Sequence, residues 1–191
     1  KIIGKATKRL DGPEKINGTA IFGQDIQFEG LMTAMVARSP VFGGKVKTFD
    51  ASAAKKIKGV QKVVQVPTGV AVIADNYWAA KTGREALKVD WDLGENASLD
   101  SKALFAEYKK LAATTGLIAA KAGDNKAAMT KAEKFVEAEY ALPYLAHSPM
   151  EPLNCAVKIE KDGCEIWTGT QMQGTYQEDA EKILGLKPEQ V

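Results

Sequence analysis

Few side chains in this sequence could do chemistry unaided: one histidine, His147, two cysteines, Cys155 and Cys164, and the carboxylates around them. Structural zinc takes four ligands, commonly in closely spaced pairs. A lone histidine and two cysteines with eight residues between them do not make such a set, so no metal site is expected. The other use of these residues is nucleophilic. His147 would serve as base to Cys155 or Cys164, with Glu151 or Asn154 orienting the imidazole. All of these lie on or beside a stretch broken by Pro143, Pro149 and Pro152. A histidine there more commonly packs or caps carbonyls than abstracts a proton, and the structural role is the expected one. Gly43-Gly44-Lys45, Gly116 and Gly123 lack the spacing and the strand-to-helix setting of a phosphate loop.

The two cysteines are expected to be free, packed thiols. If Asp162-Gly163 forms a hairpin turn, Lys161 lies opposite Cys164, and Cys155 falls roughly six residues further along its strand, beyond disulfide reach. Trp78 and Trp91 are read as packing residues rather than cofactor stackers.

Composition narrows the partners. Lys and Arg total 26 against 24 Asp and Glu, and a net charge of +2 offers no reason to expect nucleic acid. Only Arg9, Arg38 and Arg84 provide the guanidinium fork suited to phosphate or carboxylate. With 45% hydrophobic and 26% charged residues, the chain has the composition of a globular protein. No apolar run reaches the length of about 18 residues that a spanning helix needs, and no signal leader opens the chain. It starts at Lys1 and stops at Val191, so both ends are expected to be cuts in a longer polypeptide.

Short elements must position these residues. Glycines and prolines punctuate 1–30, which reads as irregular. Leu31 to Ala37 is a strand ended by Arg38-Ser39-Pro40. Asp50 is expected to cap a helix through Ile57, stopped by Gly59 before the strand Val60 to Val66. Val70 to Ala74 is a further strand, Asp75 or Asn76 caps a second helix, and Lys88 to Trp91 closes the unit. Leu93 to Ser98 reads as a linker, Asp100 to Ala113 as an amphipathic helix, and Thr114 to Asn125 as a loose Gly/Ala stretch. Alternation from Phe135 to Tyr140 suggests a strand. Two strands flank Asp162-Gly163, and Gln171 to Leu184 forms a helix ended by Gly185. The class is α+β.

Several strings, in order along the chain, resemble the molybdopterin-binding subunits of the xanthine dehydrogenase and aldehyde oxidase family, above all the isoquinoline 1-oxidoreductase beta-subunit branch. They are Arg9 to Gly18 (RLDGPEKING), Gly23-Gln24-Asp25, Val36 to Pro40 (VARSP), Val70 to Ala80 (VAVIADNYWAA) and Ala86 to Trp91 (ALKVDW). His147 to Ala156 (HSPMEPLNCA) and Trp167 to Gln171 (WTGTQ) continue the series. The resemblance implies an α/β-hammerhead domain over 1–98, a helix and linker over 99–125, and the opening of the first molybdopterin-binding domain over 126–191. It places Thr170 and Gln171 near the cofactor, with His147 and Glu151 as structural residues close by.

The same resemblance implies a molybdopterin cytosine dinucleotide or related molybdenum cofactor in the full-length subunit, and a small [2Fe-2S] electron-transfer subunit as partner. Substrates would be N-heterocycles or aldehydes; a twin-arginine signal on the parent would make it periplasmic, and without one it would be cytoplasmic. One family position departs: Leu145 stands where a molybdenum-proximal glutamine is found two residues before the histidine. The family's glycine-rich cofactor loop and its general-base glutamate would fall after residue 191. No catalytic residue is therefore expected within these residues, nor tight cofactor binding by them alone. A non-catalytic interaction module reusing the hammerhead fold is the alternative.

Overall fold

The computed structural model describes residues 2–191. In chain order its elements are α1 (Gly12–Asn17), β1 (Thr33–Ala37), β2 (Lys45–Asp50), β3 (Val60–Val66), β4 (Gly69–Ala74), α2 (Tyr77–Glu85) and β5 (Lys88–Asp92), then α3 (Ser101–Ala112), α4 (Asn125–Thr130), β6 (Ala156–Glu160), β7 (Gly163–Trp167) and α5 (Gln173–Leu184). Helix and strand are thus mixed, as the α+β expectation requires. By compactness the chain forms two units, one of 1–31 with 146–191 and one of 32–145. This spatial grouping follows different bounds from the linear partition 1–98, 99–125 and 126–191.

Residues 32–145 hold most of the core. β4 is the middle strand of an antiparallel sheet ordered β1-β4-β3. Its continuous apolar run suits a strand covered on both faces, and Val70 and Val72 are fully buried. Helix α2 lies on this sheet through Ala79, Ala80 and Gly83, all buried. Gly83 permits the approach, because a Cβ there would stand 2.8 Å from Val72 Cγ1 and 2.9 Å from Val60 Cγ2. The Asn76 side chain caps α2 by accepting from Ala79 N–H at 3.0 Å. Asp100 does the same for α3 through Ala103 N–H at 2.9 Å. β2 and β5 form a separate antiparallel ladder.

The other unit is built on the β6–β7 hairpin, α1 and α5. Cys164 and Ala180 are its buried apolar side chains. Gly185, at φ 69°, ends α5 by donating its N–H to Glu181 O at 2.8 Å.

Several expectations need correction. The helix expected over 51–57 is a single 3-10 turn, Ala54–Lys56, and Asp50 ends β2 instead of capping a helix. Its carboxylate accepts from Ser52 N–H at 2.8 Å, as an N-cap would, but only the 3-10 turn follows. Residues 45–50 were not expected as a strand, because their alternation is masked by four polar or charged positions in six. The opening stretch contains α1, which starts at Gly12-Pro13, a proline position that costs a helix nothing. Phe135 to Tyr140 forms no strand, since no ladder partner faces its alternation. The hairpin pairs Glu160 with Gly163 and Ile159 with Cys164, so the turn is Lys161-Asp162. Both cysteines are nonetheless free, with Cys164 buried and Cys155 exposed rather than packed. Trp78 is 69% exposed and therefore not a core residue; Lys81 Nζ sits 5.1 Å from its ring centre.

Candidate functional site

The sequence-predicted site residues all fall in the unit formed by 1–31 and 146–191, on two segments that flank the hairpin. Residues 147–154 have no regular structure. His147 is exposed, and Ser148 beside it has φ 42°, a left-handed conformation unusual for a residue with a side chain. Pro149 and Pro152 supply no N–H, so the segment cannot close on a backbone ladder and is held by side chains instead.

Asn154 supplies most of that support. Its Nδ2 donates to Glu151 Oε1 at 2.8 Å and to Pro152 O at 2.8 Å. Its backbone carbonyl accepts from Thr168 Oγ1 at 2.9 Å, tying the segment to the end of β7. Its Oδ1 is buried without a hydrogen-bond partner and faces Gly23, where a Cβ would lie only 2.3 Å away. Glu151, half-buried, also reaches the second segment: a Cβ on Gly169 would lie 3.9 Å from Glu151 Oε2.

Thr170 and Gln171 follow directly. Thr170 Oγ1 accepts from Met172 N–H at 2.9 Å, which turns the chain into α5 and leaves the hydroxyl proton free to donate. No side chain caps α5, so its first amides stay available to a polar acceptor. Gln171 is exposed, and its side-chain amide has no hydrogen-bond partner among the described residues. The Gln171 amide, the Thr170 hydroxyl and the His147 imidazole can each hydrogen-bond to a polar heterocycle. Direct metal ligation does not fit, because no group of three or more His, Cys, Asp or Glu side chains is assembled among the described residues.

A nucleophilic cysteine finds no support. No hydrogen bond joins His147 to either cysteine among the described residues, and Cys155 Sγ makes only a 3.9 Å contact with Ala156 O. Partial desolvation pushes the Cys155 thiol above its ordinary range, the reverse of activation. In the same unit a cavity of about 400 Å³ is lined by Ile21, Asp25, Phe28, Lys158, Glu165 and Trp167. Phe28 and Trp167 form its aromatic wall, with ring centres 5.8 Å apart. Neither this cavity nor the Gly23 contact was foreseen; Gly23-Gln24-Asp25 stood out in the sequence, but nothing local ties it to residues 130 positions later.

Residues 108–191 match the molybdopterin cofactor-binding domain family. Those residues belong to that domain family, and the whole chain is similar to subunits of molybdenum-dependent oxidoreductases. It is 31% identical over 201 residues to the isoquinoline 1-oxidoreductase subunit beta of Brevundimonas diminuta, covering 100% of this chain and 26% of that protein. It is 35% identical over 185 residues to the membrane-bound aldehyde dehydrogenase [pyrroloquinoline-quinone] of Gluconacetobacter polyoxogenes, covering 91% of this chain and 24% of the relative. The crystal structure of quinoline 2-oxidoreductase from Pseudomonas putida 86 shares the fold with a TM-score of 0.70 at 16% identity, over 100% of this chain and 30% of that one. The chain thus spans about a quarter of the length of the curated relatives it matches.

Proposed function

We propose that these residues form part of the large subunit of a molybdenum-cofactor oxidoreductase that hydroxylates an N-heterocycle or oxidises an aldehyde. The match of residues 108–191 to the cofactor-binding domain family carries this reading. On it, residues 1–98 are an α/β-hammerhead domain, 99–125 a helix and linker, and 126–191 the opening of the first molybdopterin-binding domain. Nothing observed favours the stand-alone interaction module.

When bound, a molybdopterin cytosine dinucleotide or related cofactor supplies the oxygen-transfer and two-electron chemistry. The residues here bind and orient. Gln171 offers amide hydrogen bonds, and Thr170 keeps a hydroxyl proton free to donate while its oxygen holds the turn into α5. His147 and Glu151 shape the adjoining loop. Electrons would leave through a small [2Fe-2S] partner subunit. No helix is long and apolar enough to cross a membrane among the described residues.

The name of the Gluconacetobacter relative specifies pyrroloquinoline quinone, which favours quinone-dependent aldehyde oxidation as a second reading. Assay of the full-length subunit with its iron–sulfur partner and an artificial electron acceptor tests the substrate class. Turnover of isoquinoline, quinoline or an aldehyde is expected. Turnover of none by a cofactor-loaded preparation would overturn the assignment.

A further inference from the structure

Two segments carry the candidate residues, 147–154 and 169–171, and the Glu151 carboxylate of the first stands beside Gly169 of the second. Glu151 Oε1 accepts from Asn154 Nδ2 at 2.8 Å, while Oε2 lies 3.9 Å from the position of a Cβ on Gly169, the residue before Thr170. Asn154 is fixed in turn by Pro152 O, by Thr168 Oγ1 and by a close seat on Gly23. A methyl group on Gly23 would stand 2.3 Å from Asn154 Oδ1 and 3.5 Å from Glu151 Oε1. At the far end of the loop, Ser148 holds the one left-handed φ of a non-glycine among the described residues. Such a conformation persists only where the surroundings over-determine it.

We propose that Asn154 is a positioning residue that holds the Glu151 carboxylate against Gly169, with Gly23 as its seat, so that the 169–171 segment is registered to the 147–154 loop. The proposal rests on the reading of Thr170 and Gln171 as cofactor-facing for its functional meaning, but the registration itself is a property of this chain. An asparagine suits the task because its amide donates to a carboxylate and a carbonyl at once without adding charge. The charged groups around the pair are few. The Gly23 turn carries Asp25, whose Oδ2 already accepts from Phe22 N–H at 2.9 Å, and the β7 side presents Thr168 and Gly169, which do not titrate.

The test is hydrogen–deuterium exchange in the full-length subunit, corrected for intrinsic rates, at pH 5 and pH 8. Asn154→Asp places two carboxylates face to face. At pH 8 both ionise and repel, and protection of amides in 147–155 and 169–173 falls by about tenfold or more, the loss expected for a hydrogen bond to a charged group. At pH 5 a shared proton restores the contact, and protection returns toward the native level. Asn154→Leu loses protection at both pH values, and Gly23→Ala, which crowds Oδ1 and Cγ of Asn154, exposes the same two segments. A pH-independent change in Asn154→Asp, a change confined to 151–155, or a loss spread evenly over the chain would each overturn the proposal. Molybdenum content of the wild type is read separately. Metal-free protein with the pH-dependent registration intact removes the cofactor reading and leaves Asn154 in its positioning role.

Discussion

Gly83→Ala sets two effects of known sign against each other. Glycine inside a helix is worse than alanine by about 1 kcal/mol, so α2 taken alone would gain from the change. The new methyl carbon, however, would stand 2.8 Å from Val72 Cγ1 and 2.9 Å from Val60 Cγ2, well inside van der Waals contact. Val72 is fully buried, and β-branched side chains have little rotamer freedom to yield. Overpacking of this kind costs about 1–3 kcal/mol. Taking about 2 kcal/mol for the clash less about 1 for propensity, the variant should be less stable by about 1 kcal/mol. Val72→Ala alone should cost about 2 kcal/mol through lost methyls and the cavity they leave. Because it removes one of the two clashing atoms and leaves Val60 Cγ2 at 2.9 Å, the double variant should recover about half of the clash, a coupling of about 1 kcal/mol. Urea unfolding followed by tryptophan fluorescence measures all three differences. A higher midpoint for Gly83→Ala, or strictly additive single effects, would refute the close helix-on-sheet contact.

Loss of the Asn76 cap by Asn76→Ala should destabilise the same unit by about 1 kcal/mol, with Asn76→Asp nearly neutral, as read from the urea midpoint. Cys155 should alkylate with iodoacetamide at neutral pH more slowly than a model thiol, since burial raises its pKa, and Cys164 should react only on unfolding; a fast Cys155 would reopen the nucleophile reading. Asp11 is held well below the usual carboxylate range, first by its hydrogen bond from Arg9 and then by Lys15. The sign of a lowered folded pKa makes any stabilisation from this site full above the ordinary carboxylate range and lost as pH falls through the lower, folded value. Carboxyl NMR of Arg9→Gln should therefore show Asp11 titrating at higher pH than in the wild type, and an unmoved curve would contradict the pairing.

What could be read from residues alone follows from how local each signal is. β4, α2 and α3 were legible because each carries its own punctuation: a continuous apolar run, Asn76 before Tyr77, and Asp100 before Ser101. β2 was missed because its partner β5 lies some 40 residues away and its own pattern is mostly polar. The helix expected after Asp50 failed for a related reason: Asp50 and the residues before it are held in the ladder with β5, and only a 3-10 turn follows. At the candidate site the residues were identified by resemblance, but the Gly23–Asn154 contact was invisible. A glycine required by a side chain so distant in sequence leaves no local trace beyond being a glycine.

The central claim is most directly tested by elemental mass spectrometry for molybdenum on the full-length subunit, produced together with a neighbouring iron–sulfur subunit. The account predicts near-stoichiometric molybdenum in that preparation. No molybdenum, under conditions that load a known molybdenum hydroxylase, would contradict it.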